Sequence, residues 1–261
     1  MGFQNVSVDF DGASAPPRIA LVTGSGRNLG RAVALELARG GADVVINVRT
    51  NLRDAETVAE EVRALGRRSV AHAADVADEA AMGAMFAAIE RELGGVDILV
   101  NNAGPRAESR LEELTRTDWD AVIGAVLTGA YQCSRAVVPG MRERGWGRII
   151  NILGAVAHTG QPRRAHLAAA KAGLLGLTRA LAAELGPAGI TVNAVSPGPL
   201  DTPPPPGLDA EIRLRRAMHK PIPRLGTAGE VAAMVAFLAS DQAAFVTGQA
   251  VGVNGGEVML G

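Results

Sequence analysis

Short apolar runs alternate along this chain with stretches whose apolar residues recur at helical spacing. Ile19–Thr23, Asp43–Val48, Ser69–Ala73, Asp97–Asn101, Arg148–Leu153, Thr191–Ser196 and Gln249–Val253 read as strands. Several are nearly continuous apolar runs, as expected of parallel strands buried on both faces. Between them, Leu29–Ala38, Asp54–Leu65, Asp78–Leu93, Thr117–Arg144, Arg164–Leu185 and Ala228–Ala239 read as helices. Gly66 and the pair Gly94-Gly95 close two of these, as glycines do past a helix end. Thr117–Arg144 is expected to be one long helix bent near Pro139. Residues 197–226 break the rhythm with a proline-rich loop, including Pro203 to Pro206, and one short helix. Repeated βα units imply right-handed crossovers with helices on both faces. The expected fold class is therefore α/β, a doubly wound parallel sheet of about seven strands. Its ligands bind at the carboxyl ends of the strands. Residues 1–17 read as an exposed N-terminal arm, and 18–261 as a single domain with a lid at about 197–226.

The length of 261 residues suits one such domain. With 26 Lys+Arg against 27 Asp+Glu, the net charge of −1 excludes a globally basic nucleic-acid binder and an acidic disordered tail. Aromatic residues are only 3% of the chain, and Tyr131 is its single tyrosine. A mechanism that needs a tyrosine must use position 131 or do without. Lys171 and Lys220 are the only lysines, with arginine elsewhere. A lysine that survives such a bias points to a place where arginine will not serve. Cys133 stands alone, so neither an intrachain disulfide nor a cysteine metal cluster is expected. The four histidines lack ligand spacing, so no metal is expected. The first residues lack the pattern of a signal peptide, position 6 does not fit myristoylation, and no membrane span stands out. A cytoplasmic location is expected.

Chemistry concentrates after the first strand. Thr23-Gly-Ser-Gly-Arg-Asn-Leu-Gly30 runs straight into a helix. Glycines there let the backbone approach a pyrophosphate, and the helix N-terminus supplies N–H donors. The second strand sets the flavour of such a cofactor. An acid at its end favours a ribose 2′-OH, whereas arginine accommodates a 2′-phosphate. Val44–Leu52 has no acid and carries Arg49, with Arg27 in the neighbouring glycine loop. Both favour NADP(H) over NAD(H).

These features, with others further along, resemble the short-chain dehydrogenase/reductase family in its single-domain form, from Arg18 to Met259. The matching pieces are Thr23-Gly24 with Gly30, Asp75-Val76, Asn101-Asn-Ala-Gly104, Lys171, Pro197-Gly198 with Thr202, and Val246 to Gly256. The resemblance implies a Rossmann-type sheet. It also implies a cofactor held by Gly24, Arg27, Asn28, Leu29, Gly30 and Arg49. Asp75 and Val76 would hold the adenine, and Asn102, Ala103 and Gly104 would line the cofactor. Lys171, Pro197, Gly198 and Thr202 complete the set, Thr202 at the nicotinamide amide. Asn28 stands where the family usually has its second glycine, and Asn tolerates left-handed backbone.

The larger departure is catalytic. The family places Tyr four residues before its Lys, Ser thirteen before that Tyr, and Asn in the long helix. Here those positions hold Leu167, Gly154 and Val126, within flanks that match without gaps. The tyrosine donates a proton to the alkoxide formed on ketone reduction, and its loss costs about 10²–10⁴ in rate. Tyr131 lies five residues beyond Val126, which turns it about 140° off that face. His158 follows the fifth strand on the substrate side by resemblance, and its ordinary pKa suits proton transfer. Its plainer reading is a loop histidine touching solvent. His166 adjoins Leu167 but is rotated about 100° away. Lys171 can act through a water or simply bind ribose.

The candidate catalytic residues are thus Lys171 and His158. Leu167 and Gly154 make a roomier, less polar pocket, suited to a bulky small molecule. Arg106, Arg163 and Arg164 near its mouth, with Arg213, Arg215, Arg216 and Lys220 along the lid, suggest an anionic one. The resemblance also implies a homo-oligomer, dimer or tetramer, through the two long helices. The expected function is an atypical NADP(H)-dependent oxidoreductase. The rivals are a nucleotide-binding, non-catalytic partner subunit and a non-redox cyclase, lyase or isomerase.

Overall fold

The computed structural model describes residues 17–105, 107–203 and 210–259. The expected N-terminal arm up to residue 16, Arg106, Pro204 to Pro206 and the side chains of Arg213 and Arg216 lie outside the described residues. In chain order the elements begin β1 (Ile19–Val22), α1 (Asn28–Arg39), β2 (Asp43–Val48), α2 (Leu52–Ala64), β3 (Ser69–Ala73), α3 (Glu79–Glu92) and β4 (Ile98–Asn101). Then come α4 (Arg116–Ile123), α5 (Gly129–Arg144), β5 (Gly147–Ile152), α6 (Val156–Thr159), α7 (Ala165–Leu185) and β6 (Ile190–Pro197). The chain closes with α8 (Ala210–Met218), α9 (Ala228–Ala239) and β7 (Ala250–Val253).

All seven strands pair in parallel in the order β3-β2-β1-β4-β5-β6-β7. Alternation along each strand feeds two cores. Ala20, Val22, Val44 and Ile46 face α1, α2 and α9. Leu21, Val45, Leu99, Ile149 and Val192 face α3, α5 and α7. The strand order reverses between β1 and β4, and the loops leaving their carboxyl ends part there. That divergence opens the crevice in which such folds bind ligands.

The long helix differs from expectation. Between α4 and α5, Gly124–Thr128 forms a π-turn, and α5 carries Pro139 within it. The cause is tertiary. A Cβ on Gly129 would lie 2.6 Å from Val76 Cγ2, and one on Gly124 3.3 Å from Ala77 Cβ. The helix therefore presses its glycines on the loop after β3 and accommodates the contact with a widened turn, a feature common beside functional sites. Arg116–Arg144 as a whole is long and apolar enough to cross a bilayer, with mean hydropathy 1.3 in its most apolar window. Its Cys133, Val137 and Met141 instead pack into the core beneath the sheet.

Candidate cofactor and substrate cleft

A cleft of about 1330 Å³ runs along the carboxyl edge of the sheet and takes wall residues from beyond every strand. At one end lies the glycine turn. Gly24 adopts φ +64°, and a Cβ there would stand 3.0 Å from the Ala103 Cα. A Cβ on Gly30 would be 2.4 Å from the Gly24 carbonyl oxygen. Asn28 takes φ +48°, the left-handed backbone expected of it. The turn leads into α1, whose first turn has no side-chain cap. By contrast Asn51, Asp78, Thr115 and Thr227 cap α2, α3, α4 and α9. Uncapped N–H groups facing a cleft are donors held ready for an anion. Arg27 and Arg49 stand exposed on this rim and make no ion pair among the described residues.

The two halves of the crevice are stapled by Thr23. Its Oγ1 accepts the Asn102 N–H at 3.0 Å and the Ala103 N–H at 3.1 Å. Asn102 returns two bonds through Nδ2, to the Thr23 and Gly24 carbonyls at 2.9 and 3.0 Å. Asn47 adds a second tie that sequence reasoning missed. Its Oδ1 accepts the Gly24 N–H at 3.4 Å, and its Nδ2 donates to the Ala74 carbonyl at 3.0 Å. A polar residue inside the apolar run of β2 was the available signal. Asp75 and Val76 line the same end. The Asp75 carboxylate accepts the Ala77 N–H at 2.9 Å.

At the other end stands Lys171, only 7% exposed. Its Nζ donates to the Ile152 carbonyl at 2.5 Å and lies 3.9 Å from where a Cβ on Gly104 would be. Burial pushes the ammonium down from 10.5 to about 8. Leu167 and Gly154 line the cleft beside it, while Val126 is buried next to Gly104. Val126, Leu153, Val156 and Leu167 belong to one apolar cluster. Gly154 has φ +136°, a region that side chains other than hydrogen rarely enter.

Of the sequence-derived site residues, Gly24, Arg27, Asn28, Leu29, Gly30, Arg49, Asp75, Val76, Asn102, Ala103, Gly104, Lys171, Pro197 and Gly198 all line this cleft. Thr202 is not among its wall residues; it is buried, with its N–H bonded to the Leu200 carbonyl. His158 is also off the wall. It sits on α6, where burial and then the charge of Arg179 lower its pKa. His166 is buried, with both ring nitrogens unbonded among the described residues. Tyr131 is half exposed and off the cleft.

The basic mouth is also less free than expected. Arg164 pairs with Glu108, Arg215 with Glu211, and Lys220 with Glu257. Arg163 remains exposed on the cleft wall, in left-handed backbone at φ +63°. Glu108 and Glu257 both line the cleft and were not anticipated. Neither belongs to a local motif, and folding alone brings them there.

A parallel, doubly wound sheet with a glycine turn, an uncapped helix and a buried lysine along one crevice defines a Rossmann-type ligand-binding domain. Residues 24–257 match the family model described as enoyl-(acyl carrier protein) reductase. The chain is 44% identical over 242 residues to the 3-oxoacyl-(acyl-carrier-protein) reductase FabG of Pseudomonas aeruginosa, covering 93% of this chain and 98% of that one. It is 41% identical over 239 residues to nodulation protein G of Azospirillum brasilense, covering 92% and 97%. A solved structure from Sinorhizobium meliloti 1021, assigned to the short-chain alcohol dehydrogenases, superposes with TM-score 0.90 at 34% identity, covering 96% and 98%. The chain belongs to the short-chain dehydrogenase/reductase family of oxidoreductases.

Proposed function

We propose that this chain is an NADP(H)-dependent carbonyl oxidoreductase in which Lys171 takes over the proton handling that the family assigns to tyrosine. The observation that carries the reading is the pairing, in one cleft, of an anion-ready glycine turn with a buried ammonium. The residues present fit the cofactor. Glycine positions 24 and 30 leave no room for side chains, the α1 N-terminus is uncapped, and the guanidinium groups of Arg27 and Arg49 on the same wall would hold a 2′-phosphate. Leu29, Asn102, Ala103 and Gly104 would line its length, and Pro197 and Gly198 its far end. When bound, the nicotinamide supplies a hydride to a carbonyl carbon.

What remains is the oxygen left behind. Hydride addition breaks the carbonyl π-bond and leaves an alkoxide, which needs positive charge and then a proton. Leu167 has neither to give. Lys171 has both, and its Nζ is fixed by the Ile152 carbonyl toward the cleft side of Gly104. An ammonium with a pKa of about 8 is mostly charged at neutral pH and still gives up its proton readily. A water between Nζ and the alkoxide completes the relay, and the lysine is reprotonated from solvent. The apolar cluster around Leu167 admits a bulky carbonyl substrate and excludes competing water.

The same cluster favours a second reading. With Val126, Gly154 and Leu167 at the catalytic corner, a nucleotide-binding subunit without turnover fits equally well there. NADPH titration followed by a carbonyl screen at 340 nm separates the two. Absence of NADPH binding at millimolar concentration would sink the first reading. Tight binding without consumption of any carbonyl supports the second, and substrate loss without NADPH consumption supports non-redox chemistry. Under the first reading the reduction rate falls as pH rises through about 8, because the proton donor is lost.

A further inference from the structure

The chemistry proposed for the cleft leaves one of its charged wall residues without a task. Arg163 lines the cleft and is exposed, and its guanidinium makes no hydrogen bond or ion pair among the described residues. Its backbone sits at φ +63°, in the left-handed region that Asn28 alone shares among the described non-glycine residues. Asparagine enters that region readily, and arginine does not. A glycine would take the same backbone without strain. The position therefore carries a long cationic side chain at a conformational cost, and strain of this kind collects at ligand sites.

The segment that bears Arg163 is fixed. The Ser109 N–H donates to the Arg163 carbonyl at 2.8 Å, which joins the loop after β4 to the residues before α7. The next residue, Arg164, donates through Nε to Glu108 Oε1 at 2.9 Å and through Nη1 to Gln161 Oε1 at 3.0 Å. Glu108 and Arg164 cancel each other's charge. Among the described residues at this mouth, Arg163 keeps the uncompensated one. A single guanidinium matches a singly charged, planar carboxylate, which it holds by two parallel bonds. A doubly charged phosphate would have one cation to answer it and the Glu108 carboxylate nearby. Arg163, Leu167 and Lys171 follow one another at intervals of four residues, and all three line the cleft. At about 1.5 Å of rise per residue, the first residue of α7, Ala165, stands about 9 Å from Lys171 along the axis, with Arg163 before it. The apolar Leu167 lies in the wall between them.

We infer that Arg163 selects an oxo acid, by holding a carboxylate joined to the reacting carbonyl through an apolar chain that lies along Leu167. Arg163 is thus a specificity-determining residue. The inference rests on the carbonyl-oxidoreductase reading, which puts the carbonyl at Lys171, but its test does not require turnover. Calorimetry on the full chain loaded with NADP⁺ compares 7-oxooctanoate with 2-octanone, which has a methyl group where the acid has its carboxylate. The oxo acid is expected to bind about 5–10-fold tighter, the range for a bidentate pair at a partly exposed site. Pyruvate, with no chain between its two groups, should bind more weakly than 7-oxooctanoate. Arg163→Gln should bring the preference for the acid within about twofold, with NADP⁺ affinity unchanged. Arg163→Lys keeps the charge without the fork and should retain part of the preference. Arg163→Gly should lose the preference yet unfold in urea no earlier than wild type, because glycine accepts φ +63°. A merely structural arginine would lose stability instead. Equal affinities for 7-oxooctanoate and 2-octanone in the wild type, binding of neither, or tighter binding of pyruvate would overturn the inference. So would an undiminished preference in Arg163→Gln, or a preference lost only where stability is lost too. NADPH bound but never consumed with 7-oxooctanoate would refute the oxidoreductase reading alone, and the affinity ratio would still judge Arg163.

Discussion

Replacing Lys171 with methionine isolates the cost of burying its ammonium. Methionine keeps an unbranched stem of similar reach and removes the charge. In the folded chain the ammonium titrates at about 8 rather than 10.5. At about 1.4 kcal/mol for each factor of ten, that difference amounts to about 3 kcal/mol. The sign follows from proton binding. Below pH 8 both states hold the proton, and the native state bears the full penalty. Between about 8 and 10.5 the unfolded chain binds more protons than the native one, so wild-type stability rises with pH. Above that window the penalty is gone. The loss of the bond to the Ile152 carbonyl adds a pH-independent cost of about 1 kcal/mol. Lys171→Met should therefore be more stable than wild type at pH 7 by about 2 kcal/mol. It should lose that advantage progressively between pH 8 and 10.5. Urea unfolding of both proteins at matched pH values measures the gap, and subtraction removes every other titrating group. A gap that stays constant from pH 7 to 10.5 would refute the burial argument, and with it the tuned proton donor.

Four further substitutions probe other parts of the cleft and its supports. Gly30→Ala puts a methyl 2.4 Å from the Gly24 carbonyl oxygen, so NADPH affinity should fall at least about tenfold, measured by calorimetry. Unchanged affinity would mean that the turn is not the phosphate cradle. Leu167→Tyr restores a proton donor and should raise reduction of generic ketones. Adding Gly154→Ser should bring no further gain and cost about 1–3 kcal/mol in chemical denaturation. The new Cβ meets nothing within 3.9 Å, yet the backbone sits at φ +136°. His166→Phe should stabilise the fold by about 1–2 kcal/mol, because two buried ring nitrogens lose their unmet need for partners. Burial lowers the His166 pKa, so the unfolded state binds more protons below 6.5 and the advantage should widen as pH falls. A pH-independent difference would count against that assignment.

All seven strands were legible because parallel strands are apolar on both faces, and their runs stand out whatever they pack against. The glycine-turn end of the cleft was legible for a related reason: its residues cluster in short stretches just after strands, where backbone geometry dictates residue type. The widened turn at Gly124–Thr128 was not. Its cause is the approach of Val76 and Ala77, some 50 residues earlier in the chain. Pro139 was the more visible local signal, and α5 runs through it. His158 lies off the cleft wall, because proximity in sequence to β5 does not fix where α6 carries its side chain. Glu257 escaped notice because its partner, Lys220, lies on a different element, and only the fold joins them. The scarcity of lysine had marked position 220 without saying what it would meet.

The Thr23 staple has a thermodynamic consequence for whatever occupies the crevice. One hydroxyl and one asparagine amide lock the ends of β1 and β4 together through four short bonds within the chain itself. This end of the cleft is therefore preorganised. Little chain entropy is surrendered there on association, and little affinity is lost to selecting a minor conformer. Amide protons at this junction should exchange slowly in the free protein and change little on saturation.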